Sequence, residues 1–329
     1  MSAQKDYAVQ FVAKEKAQLV TIERDNAPLG ENQVEGRTVV SLISAGTEVV
    51  GGYCADLQAA ASTGYAAVLE VETVGSAVST VSPGDIVFTT GNHRSYQRLD
   101  EERALRVPDG LPPETAVFTR MVKIPMPAFV HTGVRPPEKC MVTGLGVVGL
   151  MAAQLAQLYC YEVTACEPDA ARRRVAEEHG VSNVMPAVPL SDSSLQGQVG
   201  LGLECSGHEQ AALDLCDVVR THGEVLLVGV PWVARSDLLA QKILHSIFFN
   251  YVGVHSGWEG RMSDNQDFHS GRHHFSVALD WLAAGKIEVH ESLYKKVSPT
   301  DPQTVYQAIL HNQLQALTAM FDWRELWSS

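Results

Sequence analysis

The chain is predicted to be α/β, with a doubly wound parallel sheet and a separate β-rich unit. Three observations predict this. A short apolar strand at Cys140–Thr143 runs directly into Gly144-x-Gly146-x-x-Gly149, and an apolar helical pattern follows over Val147–Leu158. Strand and helix patterns alternate from residue 139 to residue 254. Residues 6–110 instead hold short β-branched runs between polar or Gly/Pro turns, with no helical period of useful length.

The chain has 329 residues, of which 45% are apolar, enough for two packed domains. The formal net charge of −13 disfavours nucleic acid and anionic membranes as partners. No early apolar run has the length of a signal peptide or a spanning helix, so a soluble, cytoplasmic protein is expected. The six cysteines form no C-x-x-C pair and no metal knuckle. Several fall within apolar strand patterns, where a free thiol packs as a small hydrophobe, and a reducing compartment fits.

In chain order, strands are expected at Asp6–Val12, Gln18–Arg24, Arg37–Ile43 and Ala66–Val74. A Ser82-Pro83-Gly84-Asp85 turn precedes a strand at Ile86–Phe88. A barrel-like all-β unit accounts for them. Six prolines punctuate short helical pieces over 111–138, which reads as a crossing between domains. The alternating region then continues with a strand at Tyr161–Cys166 and a helix at Ala170–His179 starting on Asp169. Further strands are expected at Asn183–Met185, Gly200–Cys205, Glu224–Val230 and Phe248–Val254, with helices at His208–Val219 and Asp237–Ser246. Nearly continuous apolar strands of this kind suit a parallel sheet buried on both faces. The last region holds a polar, His-rich loop, helices at His274–Ala284 and Pro302–His311, and strands near Glu291–Val297 and Thr318–Trp323.

The glycine pattern carries a chemical expectation. Gly144 permits a tight turn, Gly146 lets a pyrophosphate approach the backbone, and Gly149 lets the helix pack on the strand. The helix start offers the N–H groups of Val147 and Val148 to phosphates. Glu167 closes the next strand about 20 residues on, where an acid binds the ribose diol of NAD and repels the 2′-phosphate of NADP. Arg172, in the Arg172-Arg173-Arg174 run, argues for NADP instead; the run also reads as the solvated face of a helix. Ser206, Gly207, Gly229 and Val230 end later strands at the sheet edge where ligands bind.

Together, SLISAGTE at Ser41–Glu48, TGYAAVLEVETVGSAVSTVSPGDIVF at Thr63–Phe88, VTGLGVVG at Val142–Gly149, CEPDAARR at Cys166–Arg173, ECSG at Glu204–Gly207 and EVLLVGV at Glu224–Val230 resemble the medium-chain dehydrogenase/reductase superfamily. The resemblance implies a GroES-like β-barrel catalytic domain from residues 1–120 and 255–329. It also implies a Rossmann NAD(P)-binding domain over 121–254, and a homodimer or homotetramer.

The departures bear on the chemistry. Where zinc-containing members carry a ligand Cys, this chain has Ala45. Their Gly-His-Glu reads as Gly64-Tyr65-Ala66, and the third ligand aligns with Met121. Ala and Met cannot replace a thiolate or carboxylate on Zn²⁺, and Tyr rarely does, so no zinc of the family kind is expected. Donors or a cation must then stabilise the substrate oxygen. By resemblance Thr47 holds the position of the proton-relaying hydroxyl, and Tyr65 sits where it could donate a proton. Arg120 and Lys123 flank the lost third ligand and could supply a cation. His93, on a loop, could act as an acid or base. Each also has a structural reading, as turn former, space filler, surface charge or solvent-exposed loop residue. His255, His269, His273 and His274 with Asp264 and Asp267 form another cluster, read as a mobile polar loop.

The expected function is a zinc-independent, NAD(H)-dependent oxidoreductase that passes a hydride between nicotinamide and a secondary alcohol or ketone of polyol or sugar type. One alternative is an NADPH-dependent quinone or enone reductase. Another, from a different class, is a nucleotide-binding protein without turnover. Redox-neutral chemistry on tightly held NAD is a further possibility.

Overall fold

The computed structural model describes residues 5–261 and 271–327. The chain divides into two compact units, one of Met1–Arg120, Phe275–Gly285 and Val289–Ser329, the other of Met121–His274 and Lys286–Glu288. The main return into the first unit therefore lies at Phe275 rather than at residue 255.

The first unit contains β1 (Lys5–Ala13), β2 (Lys16–Glu23), β3 (Gln33–Leu42), β4 (Ala61–Ser62), β5 (Ala67–Val74), β6 (Ile86–Thr89), β7 (Tyr96–Asp100), β8 (Leu105–Arg106) and α1 (Pro113–Ala116), with α2 (Thr119–Lys123) at its end. The second runs through α3 (Met126–His131), β9 (Lys139–Thr143), α4 (Val147–Leu158), β10 (Glu162–Cys166), α5 (Ala170–Glu178) and β11 (Val184–Met185). It continues with β12 (Val199–Glu204), α6 (Glu209–Val218), β13 (Val219–Leu227), α7 (Ala240–Asn250) and β14 (Gly253–Ser256). After α8 (Gly271–Ala283) come β15 (Tyr294–Val297), α9 (Pro302–Leu310) and β16 (Thr318–Asp322).

In the first unit a three-stranded sheet has the order β2-β1-β4, and a larger one the order β15-β16-β3-β5-β6-β8, with β7 also on β3. All pairs are antiparallel except β15 with β16. The core joins both chain ends. Val9, Phe11, Ile43 and Tyr53 pack with Tyr306, Phe321 and Trp323. Phe11 meets Tyr53 and Tyr306 edge-on at ring separations of 5.5 and 4.9 Å, a favoured aromatic geometry.

One helical segment in this unit escapes the sequence reading. Ala45–Tyr53 is wound more widely than an α-helix: the Cys54 N–H reaches back five residues to the Val49 carbonyl, at 2.9 Å. Its three glycines, Gly46, Gly51 and Gly52, weaken any helical signal. Such wide turns concentrate at functional sites.

The second unit is a six-stranded, wholly parallel sheet of order β11-β10-β9-β12-β13-β14. Numbered from β9, that is the 3-2-1-4-5-6 order of a doubly wound sheet, and the order reverses between β9 and β12. Every residue of β12 is buried, as expected of a strand covered on both faces. The expected strand at Phe248–Val254 needs correction: α7 extends to Asn250 and β14 begins at Gly253, with Tyr251 between them at a left-handed φ of 54°. The Phe248-Phe249 pair favours a strand locally, yet both rings lie exposed on the helix. No helix among the described residues is long and apolar enough to cross a membrane.

Candidate functional site

In the second unit, the turn at the switch point is built by its glycines. Gly144 has φ +82°, and a Cβ there would lie 2.7 Å from the Ser206 side chain. The loops leaving β9 and β12 are thus in close approach. A Cβ on Gly149 would lie 1.7 Å from the Gly144 carbonyl oxygen, so only glycine lets α4 start this close to β9. Gly146 differs: nothing lies within 4 Å of the Cβ it lacks. It is the N-cap of α4 with no side-chain cap bond, and no acidic residue occupies the first turn. Leu150 makes the first intrahelical bond, to the Gly146 carbonyl at 2.9 Å. The N–H groups of Val147, Val148 and Gly149 precede it, and a helix start of this kind attracts an anion.

Glu167 follows β10 and is 4% exposed. Its carboxylate accepts the Leu145 N–H at 2.8 Å and the Asp169 N–H at 3.0 Å, bracing the glycine turn. A carboxylate has acceptor capacity beyond two bonds, so ribose hydroxyls can still donate to it. Asp169 caps α5 as predicted, accepting from the Ala171 and Arg172 N–H groups at 2.7 and 3.1 Å. Of the arginine run, Arg173 donates to the Glu167 and Pro168 carbonyls at 2.8 and 2.7 Å, Arg172 lies in the first turn of α5, and Arg174 is exposed.

Sequence reasoning missed Glu204, at the end of β12. Its buried carboxylate accepts the Ser206 N–H at 2.7 Å, the Ser206 hydroxyl, and the Gly207 N–H at 2.9 Å. Its carbonyl takes the Val228 and Gly229 N–H groups at 2.8 and 2.7 Å. Burial pushes the Glu204 carboxyl up against the pull of these donors. Glu204 thereby organises Ser206, Gly207 and Gly229. Val230, next in the chain, is exposed. The signal was present in the ECSG segment: an acid ending an otherwise apolar strand.

In the first unit, a polar cluster surrounds Tyr65. The Ser44 and Thr47 side chains lie near enough to its hydroxyl to favour its ionised form. The Arg120 guanidinium lies over its ring, 4.6 Å from the centroid, within cation–π range. Burial raises the phenol above its ordinary value, while Ser44, Thr47 and the Arg120 charge pull it down and Glu48 adds to the rise. Of the two expected cations, Arg120 is the one on Tyr65. Lys123 is buried in an ion pair with Glu259 at 2.7 Å, so its charge is already balanced.

His93 also needs correction. It lies on the segment before β7, as expected, but is fully buried rather than solvent-exposed. Nε2 lies 3.0 Å from Glu48 and Nδ1 2.7 Å from the Ser41 hydroxyl, which also accepts the Trp323 indole N–H at 2.8 Å. Its backbone is pinned by Thr63 and Val9, with N–H to carbonyl distances of 2.8 and 2.9 Å. Of the His-rich loop, His255 is exposed on β14, while His273 is exposed and His274 buried on α8. His269, Asp264 and Asp267 lie outside the described residues.

The positions at which zinc-containing members of the resembled superfamily carry ligands do not fit that metal. Ala45 has no donor, Met121 is a buried thioether, and burial raises the Tyr65 phenol above its ordinary value, so it stays a neutral, poor ligand. Among the described residues no group of three or more His, Cys, Asp or Glu is placed to hold a metal ion. The turn at Gly144–Gly149 does fit a dinucleotide, because Gly146 leaves open space where a pyrophosphate would meet the helix start.

Residues 147–269 match the family described as zinc-binding dehydrogenase. The chain is 27% identical over 154 residues to an L-threonine 3-dehydrogenase from Chelativorans sp., covering 44% of either chain. It therefore spans less than half the length of this curated relative. Among solved structures, galactitol-1-phosphate dehydrogenase from Escherichia coli superposes with a TM-score of 0.80 at 16% identity, covering 96% of this chain and 99% of that one. Acetophenone reductase from Geotrichum candidum, in complex with NAD, gives 0.79 at 13% identity, covering 98% of each. Sequence similarity to dehydrogenases thus covers part of the chain, while the fold of these solved structures is shared across nearly all of it.

Proposed function

We propose that the protein is a zinc-independent, nicotinamide-dependent oxidoreductase acting on a secondary alcohol or ketone, with NAD preferred to NADP. The observation that carries this reading is the turn at Gly144–Gly149, whose first and third glycines are required by packing while the second faces open space. Space kept clear at an uncapped helix start suits a pyrophosphate. Glu167 supports NAD, since its buried carboxylate can accept ribose hydroxyls but disfavours a 2′-phosphate. The relatives' names support the substrate class: threonine and galactitol 1-phosphate carry secondary hydroxyls, and acetophenone is a ketone.

When bound, the nicotinamide supplies or receives the hydride. The backbone of Gly146–Gly149 holds the pyrophosphate, and Glu167 orients the ribose. Tyr65 handles the proton. In reduction its hydroxyl protonates the developing alkoxide, and the resulting phenolate is stabilised by the Ser44 and Thr47 hydroxyls and the Arg120 charge. Solvent then restores the proton. In oxidation the phenolate takes the proton from the alcohol.

A fluorescence titration of the purified protein with NADH and NADPH tests the cofactor assignment, and a ketone panel with and without chelator tests the chemistry. The expected result is tighter NADH binding and turnover that survives chelation. Preference for NADPH would overturn the role of Glu167, bring Arg172 forward as phosphate reader, and favour quinone or enone reduction. Binding of neither cofactor would overturn the enzyme reading.

A further inference from the structure

Behind Tyr65 lies a buried polar network that the proposed chemistry leaves unused. Glu48 is 4% exposed, on the wide helix Ala45–Tyr53, and its two oxygens accept four hydrogen bonds. One takes the Ser44 backbone N–H at 2.8 Å. The other takes the Thr63 hydroxyl at 2.7 Å, His93 Nε2 at 3.0 Å and the Tyr306 hydroxyl at 2.7 Å. Burial alone would raise this carboxyl, but the charge and hydrogen bond of His93, then the bonds from Ser44 and Thr63, hold it below its ordinary value. As an ionised acceptor it requires the proton of His93 on Nε2.

The partners of Glu48 lead to Tyr65 from two directions. Ser44, whose N–H it holds, is one of the two residues whose side chains favour the Tyr65 phenolate. Thr63, whose hydroxyl it holds, begins the Thr63-Gly64-Tyr65 segment that delivers the ring. His93 fastens the same segment: its N–H donates to the Thr63 carbonyl at 2.8 Å, and its ring packs under Gly64. Gly64 has φ +89°, and a Cβ there would lie 2.6 Å from that ring, so glycine is needed for the approach.

We propose that Glu48, paired with His93, is the positioning residue of the Tyr65 centre. One buried carboxylate holds the Thr63-Gly64-Tyr65 segment through the Thr63 hydroxyl and the Ser44 backbone through its N–H. The charged and titratable groups facing the two are few. Tyr65 is faced by Arg120 from α2 and Glu48 from the wide helix. Glu48 is faced by His93 from the segment before β7 and Tyr306 from α9. Glu48 opposes ionisation of Tyr65, and Arg120 favours it. This inference rests on the reading of Tyr65 as the proton-transferring group.

The test is a tyrosinate absorbance titration of the full chain, with Tyr65 isolated by subtracting a Tyr65→Phe background from each protein. Glu48→Gln removes the charge at nearly constant shape, and Tyr65 is expected to ionise about one pH unit lower. His93→Gln leaves the carboxylate, so ionisation is expected at or above the wild-type pH. Generic loosening would not give shifts of this sense in the two variants. In turnover, Glu48→Gln should lower kcat and leave the NADH Kd unchanged. An unshifted or raised titration in Glu48→Gln overturns the proposal, as does failure of both variants to fold, which would make the pair a stability element. If Tyr65→Phe reduces ketones as fast as wild type, the catalytic reading of Tyr65 fails. The absorbance titration still reports on Glu48 in that case, because it does not depend on turnover.

Discussion

Two strand-to-helix turns, one in each unit, solve the same problem in opposite ways. After β9 the chain enters α4 through Gly146, with no side-chain cap and no acid in the first turn. After β3 it enters the wide helix through Ser44, and the protein's own Glu48 reaches back to the Ser44 N–H at 2.8 Å. The first start has no side-chain acceptor of its own; at the second, the Ser44 N–H has one. A helix start left without an internal acceptor is therefore a better mark of a ligand than the helix itself.

The comparison breaks most easily at Tyr65, which the self-satisfied turn supports. Tyr65→Phe is expected to lower kcat for ketone reduction by roughly 10²- to 10⁴-fold, the usual share of a positioned acid, with NADH affinity unchanged. In wild type the same phenol lies above its ordinary value, so alcohol oxidation should keep rising with pH through the neutral and mildly alkaline range, as the phenolate fraction grows. A plateau near neutrality would remove Tyr65 as the base.

Next come the two glycines of the open turn. In Gly149→Ala the new Cβ meets the Gly144 carbonyl oxygen at 1.7 Å, and relief requires backbone movement, so thermal or urea unfolding should show a loss of about 3 kcal/mol. Gly146→Ala meets nothing, and its φ of −66° suits any residue, so stability should stay within about 0.5 kcal/mol of wild type. NADH binding should nonetheless weaken roughly tenfold in the same protein, because a methyl group enters the space kept for phosphate. If Gly146→Ala binds NADH normally, the turn is not a cofactor site.

The smallest effect is a difference in sign between two buried carboxylates. Glu48 lies below its ordinary value, so its contribution is present above the ordinary carboxylate range and is lost as pH falls through its folded value. Glu204 lies above, so its contribution is full at acid pH and declines as pH rises through the ordinary range towards its folded value. Urea unfolding at several pH values should show the gap between wild type and Glu48→Gln shrinking on acidification, and the gap for Glu204→Gln growing. Parallel pH dependence in the two pairs would remove the contrast.

Local features were legible in the residues. The span of α4 and the Asp169 cap were read correctly, because strand, glycine turn and cap each depend on a few neighbouring residues. The strand expected at Phe248–Val254 failed for the complementary reason: its local β preference was overridden, and α7 carries its first three residues. The wide helix at Ala45–Tyr53 was hidden because its glycines erase periodicity, although it carries Thr47 and Glu48.

By itself the sequence determined the doubly wound sheet, the glycine turn and the absence of thiolate, imidazole or carboxylate at Ala45, Tyr65 and Met121. Tertiary structure decided the rest of the proposed site. It brought Arg120 onto Tyr65, withdrew Lys123 into an ion pair with Glu259, and buried His93 against a carboxylate. It also gathered Ser44, Thr63, His93 and Tyr306 on Glu48. No local rule reaches between residues so far apart. A buried charge must collect whatever donors the fold delivers, and that choice is made only when the strands pair and the core closes.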